Sequence, residues 1–131
     1  MILGGYDLEK HARPNSTLTW HSISYFSNYW ELSLDSLSVN NVPIFTDKQI
    51  IVDSGTSFIL MPIDSLRTLL SSLPFIFIMD LLPFTPCSEL DLLKFPDLVF
   101  TIDGFHYIIP RESYVMKEYG MCYVKIMSGK Q

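Results

Sequence analysis

The feature that most constrains the fold is a two-residue alternation of apolar and polar side chains. It runs through residues 17–24 and again through residues 29–39. Because successive side chains of a β-strand point to opposite faces of a sheet, this period predicts two half-buried strands. Residues 49–52 end in three β-branched apolar side chains, and we expect a strand there that is buried on both faces. The sequence therefore favours an all-β domain.

Two pairs of turn residues predict β-hairpins. Asn40-Asn41 follows the second alternating stretch, and asparagine tolerates the left-handed backbone of a tight turn. We expect residues 42–45 to return as a short edge strand, because the proline among them cannot donate a ladder hydrogen bond. Asp103-Gly104 separates residues 97–102 from residues 105–109, and Asp-Gly between alternating runs strongly indicates a hairpin.

One clear helix is predicted, over residues 65–72. Its leucines recur at three- and four-residue spacing, Asp64 can cap its first turn, and Pro74 prevents its continuation. The apolar segment 73–84 is shorter than the roughly 20 residues that a membrane-spanning helix needs. We interpret it as a buried strand or a packed loop and expect no membrane span. The predicted fold class is mostly β, with one or two short helices in a single domain.

Composition excludes several classes of protein. Hydrophobic residues make up 48% of the 131 residues and charged residues 18%, a balance that allows a core and excludes disorder. The net charge of -5 leaves no basic patch for nucleic acid. The three histidines and two cysteines are not spaced as metal ligands, so we expect no metal site, and no motif indicates a cofactor.

The candidate chemistry lies where the apolar run 50–52 meets the sequence Asp53-Ser54-Gly55-Thr56-Ser57. Asp, Ser and Gly are common in ordinary turns, and that is the simpler interpretation. However, a carboxylate held for acid–base work also requires these residue types. Gly55 lets its own amide approach the carboxylate closely, and the Thr56 hydroxyl can bond a carboxylate oxygen.

At this point the sequence resembles the C-terminal lobe of the pepsin-like aspartic proteases, over nearly the whole chain. The 53–57 segment is similar to that family's second catalytic loop. Other matching features occur in the same order: Leu3-Gly4-Gly5-Tyr6-Asp7, Leu18-Thr19-Trp20, Tyr29-Trp30-Glu31-Leu32, residues 95–104, and the pair Cys87 and Cys122. The resemblance implies a pepsin-like acid protease lobe, incomplete, spanning residues 1–131.

The resemblance also implies roles for individual residues. Asp53 would be one of two catalytic aspartates that activate a water against a peptide carbonyl, within a catalytic loop of Asp53, Ser54, Gly55 and Thr56. Ser54 would bond to the partner lobe's equivalent loop, and Thr56 would bond the outer carboxylate oxygen. Three residues would contact substrate: Ser57 its backbone, and Tyr29 and Ile51 as pocket-lining side chains, with core packing as the alternative for these two. Cys87 and Cys122 would form a disulfide.

Departures from the family pattern leave three interpretations open. The family's first Asp-Thr-Gly loop and its flap belong to the other lobe and do not occur in these 131 residues. The apolar-apolar-Gly segment that usually supports the second loop is also missing. The chain is therefore expected to be part of a bilobed aspartic endopeptidase acting on peptide or protein substrates, with a missing N-terminal lobe. The alternatives are a retroviral-type homodimer, whose second copy supplies the other aspartate, and a non-catalytic peptide-binding remnant.

Two features bear on the cellular compartment. Asn15-Ser16-Thr17 is an N-glycosylation sequon, and the two cysteines permit one disulfide. Both matter in an oxidising compartment. Together with the family resemblance, they predict a secreted or lysosomal/vacuolar location, although no signal peptide is recognisable at the start of the chain.

Overall fold

The computed structural model describes residues 2–74, 77–79 and 82–129. Most of the regular structure is β, as predicted. The strands are β1 (Glu31–Val39), β2 (Val42–Ile51), β3 (Ile59–Met61), β4 (Phe77–Met79), β5 (Leu82–Pro86), β6 (Leu98–Ile102), β7 (Phe105–Ile109), β8 (Val115–Glu118), β9 (Met121–Val124) and β10 (Ile126–Ser128). The helices are α1 (Leu8–His11), α2 (Ile63–Leu70), α3 (Glu89–Leu92) and α4 (Arg111–Tyr114).

The described strands form two four-stranded antiparallel sheets and one parallel pair. The first sheet has the order β2-β1-β6-β7, the second has the order β4-β5-β9-β8, and β10 lies parallel to β3. Buried side chains from both sheets and from α2 form one apolar core. Among the described residues, no helix is long and apolar enough to cross a membrane.

Both predicted hairpins are present. Asn40 and Asn41 have φ angles of 50° and 62° and join β1 to β2. Asp103 and Gly104 have φ angles of 50° and 78° and join β6 to β7. These left-handed conformations match the twist of the strands that they connect. The returning strand is at a sheet edge, as expected from its proline, but the short-strand prediction is wrong because β2, despite a shift in its register with β1, runs on to Ile51.

Two strand predictions are wrong. Residues 17–24 form no strand, and Trp20 within them is 87% exposed. Their alternation specifies two faces, but none of the described strands pairs with them to supply hydrogen bonds. Residues 49–52 are not buried on both faces, since Ile51 is 52% exposed. They lie at the end of an edge strand that the described part of the chain leaves open to solvent.

Helix α2 confirms the predicted apolar face but not the predicted cap. It begins at Ile63, after Pro62, and no side chain caps its N-terminus. Asp64 lies inside the first turn, where its carboxylate is 3.5 Å from the guanidinium of Arg67. Three leucines of the predicted stripe are buried in the core: Leu66, Leu69 and Leu70.

The segment 73–84 is only partly described. Within it, β4 and the first part of β5 pair antiparallel, which agrees with a strand prediction. Residues 75, 76, 80 and 81 lie outside the described residues.

The two cysteines form the expected disulfide. Cys87 follows β5 and Cys122 belongs to β9, and their Cα atoms are 5.6 Å apart. The Cys87 amide also donates to the Gly120 carbonyl at 2.9 Å. The covalent link therefore brackets the β6–β7 hairpin along the chain and reinforces a backbone pairing that already exists.

Candidate active site

Asp53 lies immediately beyond the last strand pairing of β2. The register pairs Glu31 with Ile51, and the Val52 amide donates to the Trp30 carbonyl at 3.0 Å. Antiparallel pairing thus continues to the residue before Asp53, and the chain then leaves the sheet in the 53–58 loop. The rigid strand positions the start of this loop, as a functional carboxylate requires.

Two donors inside the loop hold the Asp53 carboxylate. The Gly55 amide donates to Oδ1 at 2.8 Å, and the Thr56 hydroxyl donates to Oδ2 at 2.5 Å. A Cβ atom on residue 55 would lie 3.2 Å from Oδ1, closer than a side chain ordinarily allows. Glycine is therefore the residue that permits this approach, and both contacts are those expected from the sequence.

These hydrogen bonds set the electrostatics of Asp53. The Thr56 hydroxyl, followed by the Gly55 amide, lowers the pKa of the Asp53 carboxyl below its ordinary value, because both donors favour the ionised form. Desolvation opposes this shift only weakly, since the side chain faces solvent. Asp53 is therefore an exposed carboxylate, and each of its two oxygens accepts a hydrogen bond from a different donor of the loop.

Asp91 is a second exposed acid with a lowered pKa, but a structural role accounts for the shift of its pKa. Its pKa falls to about 2, first because Lys94 donates to it at 2.8 Å and then because of Ser88. Ser88 and Asp91 form a reciprocal capping box at the start of α3. A cation and a helix cap account for Asp91, whereas the partners of Asp53 include neither.

The strand that leaves the loop has its own support. In β3, the Ile59 amide donates to the Lys125 carbonyl at 3.0 Å, and β3 then runs parallel to β10. Beyond β10, the Gly129 amide donates to the Met61 carbonyl at 3.1 Å. Strand β10 therefore supplies backbone pairing at the exit of the loop.

The other candidate residues cluster around the same end of β2. Ser54 and Ser57 are exposed within the loop. Tyr29 and Ile51 are 64% and 52% exposed, so neither packs in the core of this chain. Tyr29 precedes β1 by two residues, and Ile51 lies opposite the first residue of β1. Strand pairing therefore brings Tyr29 and Ile51 to the end of the first sheet at which the 53–58 loop begins.

Sequence patterns did not single out Trp30. Its backbone carbonyl holds Val52 beside the loop, while its side chain is exposed. The register between β1 and β2 could have identified Trp30, because the residue that pairs next to Asp53 must lie beside the loop. No local motif reveals that register.

Residues 51–57 at the candidate site are all exposed to solvent. Two cavities of about 290 Å³ each occur elsewhere, and no residue of the 53–58 loop lines either of them. Within the described residues, no group of three or more His, Cys, Asp or Glu side chains is placed to hold a metal ion. The arrangement can orient one carboxylate toward a reactant, but a second surface is needed to enclose that reactant.

Comparison with known proteins provides independent information. A family model described as eukaryotic aspartyl protease matches residues 1–131. Pepsin II-2/3 of Oryctolagus cuniculus is 32% identical over 124 residues, which cover 93% of this chain and 30% of the pepsin. A pregnancy-associated glycoprotein of Equus caballus is 35% identical over 127 residues, covering 94% of this chain and 31% of the glycoprotein. Pepsin A of Bos taurus is 31% identical over 124 residues, which cover 93% of this chain and 32% of that pepsin. The chain thus spans about a third of the length of these relatives.

Proposed function

Because the chain belongs to the eukaryotic aspartyl protease family, we propose that it supplies one half of the active site of an aspartic endopeptidase, with Asp53 as one of the two catalytic carboxylates. Residues 1–131 are then a partial C-terminal lobe. The observation that carries this proposal is the hydrogen-bonded Asp53 loop, in which Gly55 and Thr56 orient the two oxygens of an exposed carboxylate.

Peptide hydrolysis by this chemistry needs a second carboxylate. A base must take a proton from the attacking water while an acid donates a hydrogen bond to the peptide carbonyl, and both forms must exist at one pH. Two adjacent carboxylates meet this need by sharing one proton, since like charges so close cannot both ionise. Aspartic proteases are the standard example of such a pair. In the assembled pair the shared proton belongs to both aspartates together, and the Gly55 amide and the Thr56 hydroxyl orient the two oxygens that Asp53 contributes.

The second aspartate is proposed to come from an N-terminal lobe. The relatives are about three times the length of this chain, which leaves room for such a lobe in them. In the assembled enzyme, Ser54 bonds to the equivalent loop of that lobe and Ser57 contacts the substrate backbone. Tyr29 and Ile51, both exposed here, line the substrate pocket.

The disulfide favours an oxidising compartment. We therefore place the protein in the secretory route, as a secreted or lysosomal/vacuolar enzyme. Its substrates are peptides or proteins that share that compartment.

The test uses the full-length gene product, or this chain combined with a separately made N-terminal lobe. Asp53→Asn removes the titrating acid with almost no change of shape, so cleavage of a denatured globular protein in the acid range should be lost. Asp47→Asn is the matched control, because Asp47 is an exposed acid of β2 with a left-handed backbone that asparagine tolerates. Full activity in Asp53→Asn, with unchanged circular dichroism, would contradict the assignment.

The isolated chain separates the remaining alternatives. As a monomer it has one candidate carboxylate and no flap, so it should not hydrolyse peptides until the other lobe is added. If sedimentation shows a dimer that cleaves substrate, and Asp53→Asn abolishes this activity, the homodimeric half-enzyme would be favoured instead. Peptide binding without cleavage, even in the presence of the second lobe, would indicate a non-catalytic remnant.

A further inference from the structure

The chain has one sequon, and its acceptor lies at the tip of a tight turn. Asn15 is followed by Ser16 and Thr17, which places a hydroxyl two residues beyond the amide. The Ser16 amide donates to the Arg13 carbonyl at 3.1 Å, and Asn15 has a φ of 62°. Proline at the second position and a left-handed asparagine at the third position are the residues that a type II turn prefers. The turn therefore forms from local sequence preferences.

The turn presents the sequon to solvent. Residues 13–17 are all exposed and belong to no helix or strand. No side-chain hydrogen bond of Asn15 occurs with any residue that the structure describes. An enzyme can therefore bind this segment without breaking a sheet ladder or uncovering the core. Many chance sequons lack this property because they lie within strands or buried helices.

The disulfide connects this geometry to a compartment. Structural disulfides form in oxidising compartments, the same ones in which sequons are modified. We propose that Asn15 is an N-glycosylation site whose donor is a lipid-pyrophosphate-linked oligosaccharide. The Asn15 amide nitrogen bonds to the anomeric carbon of the sugar, the bond from that carbon to the pyrophosphate oxygen breaks, and the amide loses one proton. The proposal needs the secretory location given above, but not the catalytic role of Asp53.

The experiment is expression of the full-length gene product in mammalian cells treated with kifunensine, which keeps glycans sensitive to endoglycosidase H. Trypsin releases residues 11–48 as one peptide, because the Arg13-Pro14 bond resists cleavage. After endoglycosidase H, that peptide should carry a single N-acetylglucosamine on Asn15. This readout distinguishes glycosylation from deamidation, which leaves no sugar.

Matched variants test whether the sequon is responsible. Thr17→Ala should abolish the modification without altering the turn residue itself, whereas Thr17→Ser should retain it. Thr19→Ala is the control for loss of a nearby threonine outside the sequon. Asp53→Asn should leave the glycan unchanged, so failure of the catalytic proposal is distinguishable from failure of this one.

The state of the cysteines decides how a negative result is interpreted. Protein that has the Cys87–Cys122 disulfide but no sugar on Asn15 would overturn the glycosylation proposal while leaving the secretory location intact. Protein that has two free thiols and no sugar would overturn both. A sugar that persists in Thr17→Ala would also overturn the assignment of Asn15.

Discussion

Strand β1 and the segment 17–24 have similar residue patterns and very different surroundings. β1 lies inside the first sheet, paired with β2 on one side and with β6 on the other. Three of its side chains, Leu34, Leu37 and Val39, are almost completely buried. Among the strands that the structure describes, none pairs with the segment 17–24, and the Ser24 amide donates to the Glu31 carbonyl at 2.8 Å.

Alternation of apolar and polar residues specifies the two faces of a strand but does not specify its partner. A β-strand needs hydrogen bonds from a neighbouring strand. Strand β1 has two such neighbours: β2, to which a hairpin joins it, and β6, which comes from a distant part of the chain. The segment 17–24 is instead attached through a side chain. His21 Nδ1 lies 2.8 Å from Asp103 Oδ2, and His21 Nε2 also contacts the Tyr107 hydroxyl. The first region is held by a sheet and a core, whereas the contacts of the second among the described residues include those of the His21 side chain and the Ser24 backbone hydrogen bond.

The largest expected effect contrasts one apolar residue from each region. Leu37→Ala empties a fully buried position of β1 and should lower the free energy of unfolding by about 2–5 kcal/mol. Ile23→Ala removes a side chain that is 50% exposed, and it should change that free energy by about 0.5 kcal/mol or less. Urea denaturation measures both. Similar losses in the two variants would mean that residues 17–24 pack as part of the core.

The disulfide should affect the sheet region alone. Replacing Cys87 and Cys122 with alanine opens a loop with a sequence separation of 35, and the free energy of unfolding should fall by about 2–4 kcal/mol. Hydrogen exchange should accelerate in β5 and β9, while amides of residues 12–30 should exchange as before. A change in those N-terminal amides would show that the two regions unfold together.

A smaller effect is expected from the side chain that attaches the N-terminal segment. His21→Leu removes the contacts with Asp103 and Tyr107 and should lower the free energy of unfolding by about 0.5–1.5 kcal/mol. Limited proteolysis within residues 12–30 should become faster, because the segment loses its attachment to the β6–β7 hairpin. His11→Leu, at an exposed histidine of α1, is the matched control. Equal cleavage rates in both variants would refute the attachment.

The smallest effect concerns the 53–58 loop, which follows the hydrogen bond from the Val52 amide to the Trp30 carbonyl. Thr56→Val removes the hydroxyl that contributes most to the lowered pKa of Asp53, so that pKa should rise toward its ordinary value. A lowered folded-state pKa stabilises the fold above the unfolded-state pKa, and this contribution is lost as the pH falls through the folded-state pKa. The free energy of unfolding of the variant should therefore be lower above the unfolded-state pKa. It should also depend less on pH in the acid range. An NMR titration of the Asp53 carboxyl measures the shift, and an unchanged pKa would contradict the assigned cause.

Much of the candidate site could be predicted from the sequence because its contacts are local. The Asp53 carboxylate bonds to groups two and three residues away, which depend on loop chemistry and on a glycine with no Cβ. The exposure of Tyr29 and Ile51 could not be predicted in this way. It depends on the position of β2 at a sheet edge and on how little of the described chain covers that end.

By itself, the sequence determined the two hairpin turns, the buried stripe of α2 and the hydrogen-bonded Asp53 loop. Each depends on backbone preferences or on side chains only a few residues apart in the sequence, where few other conformations compete. Three features depend on tertiary contacts: residues 17–24 form no strand, β2 is one strand, and β10 lies parallel to β3. These outcomes depend on which distant segments meet, and strand hydrogen bonds form only where a partner arrives.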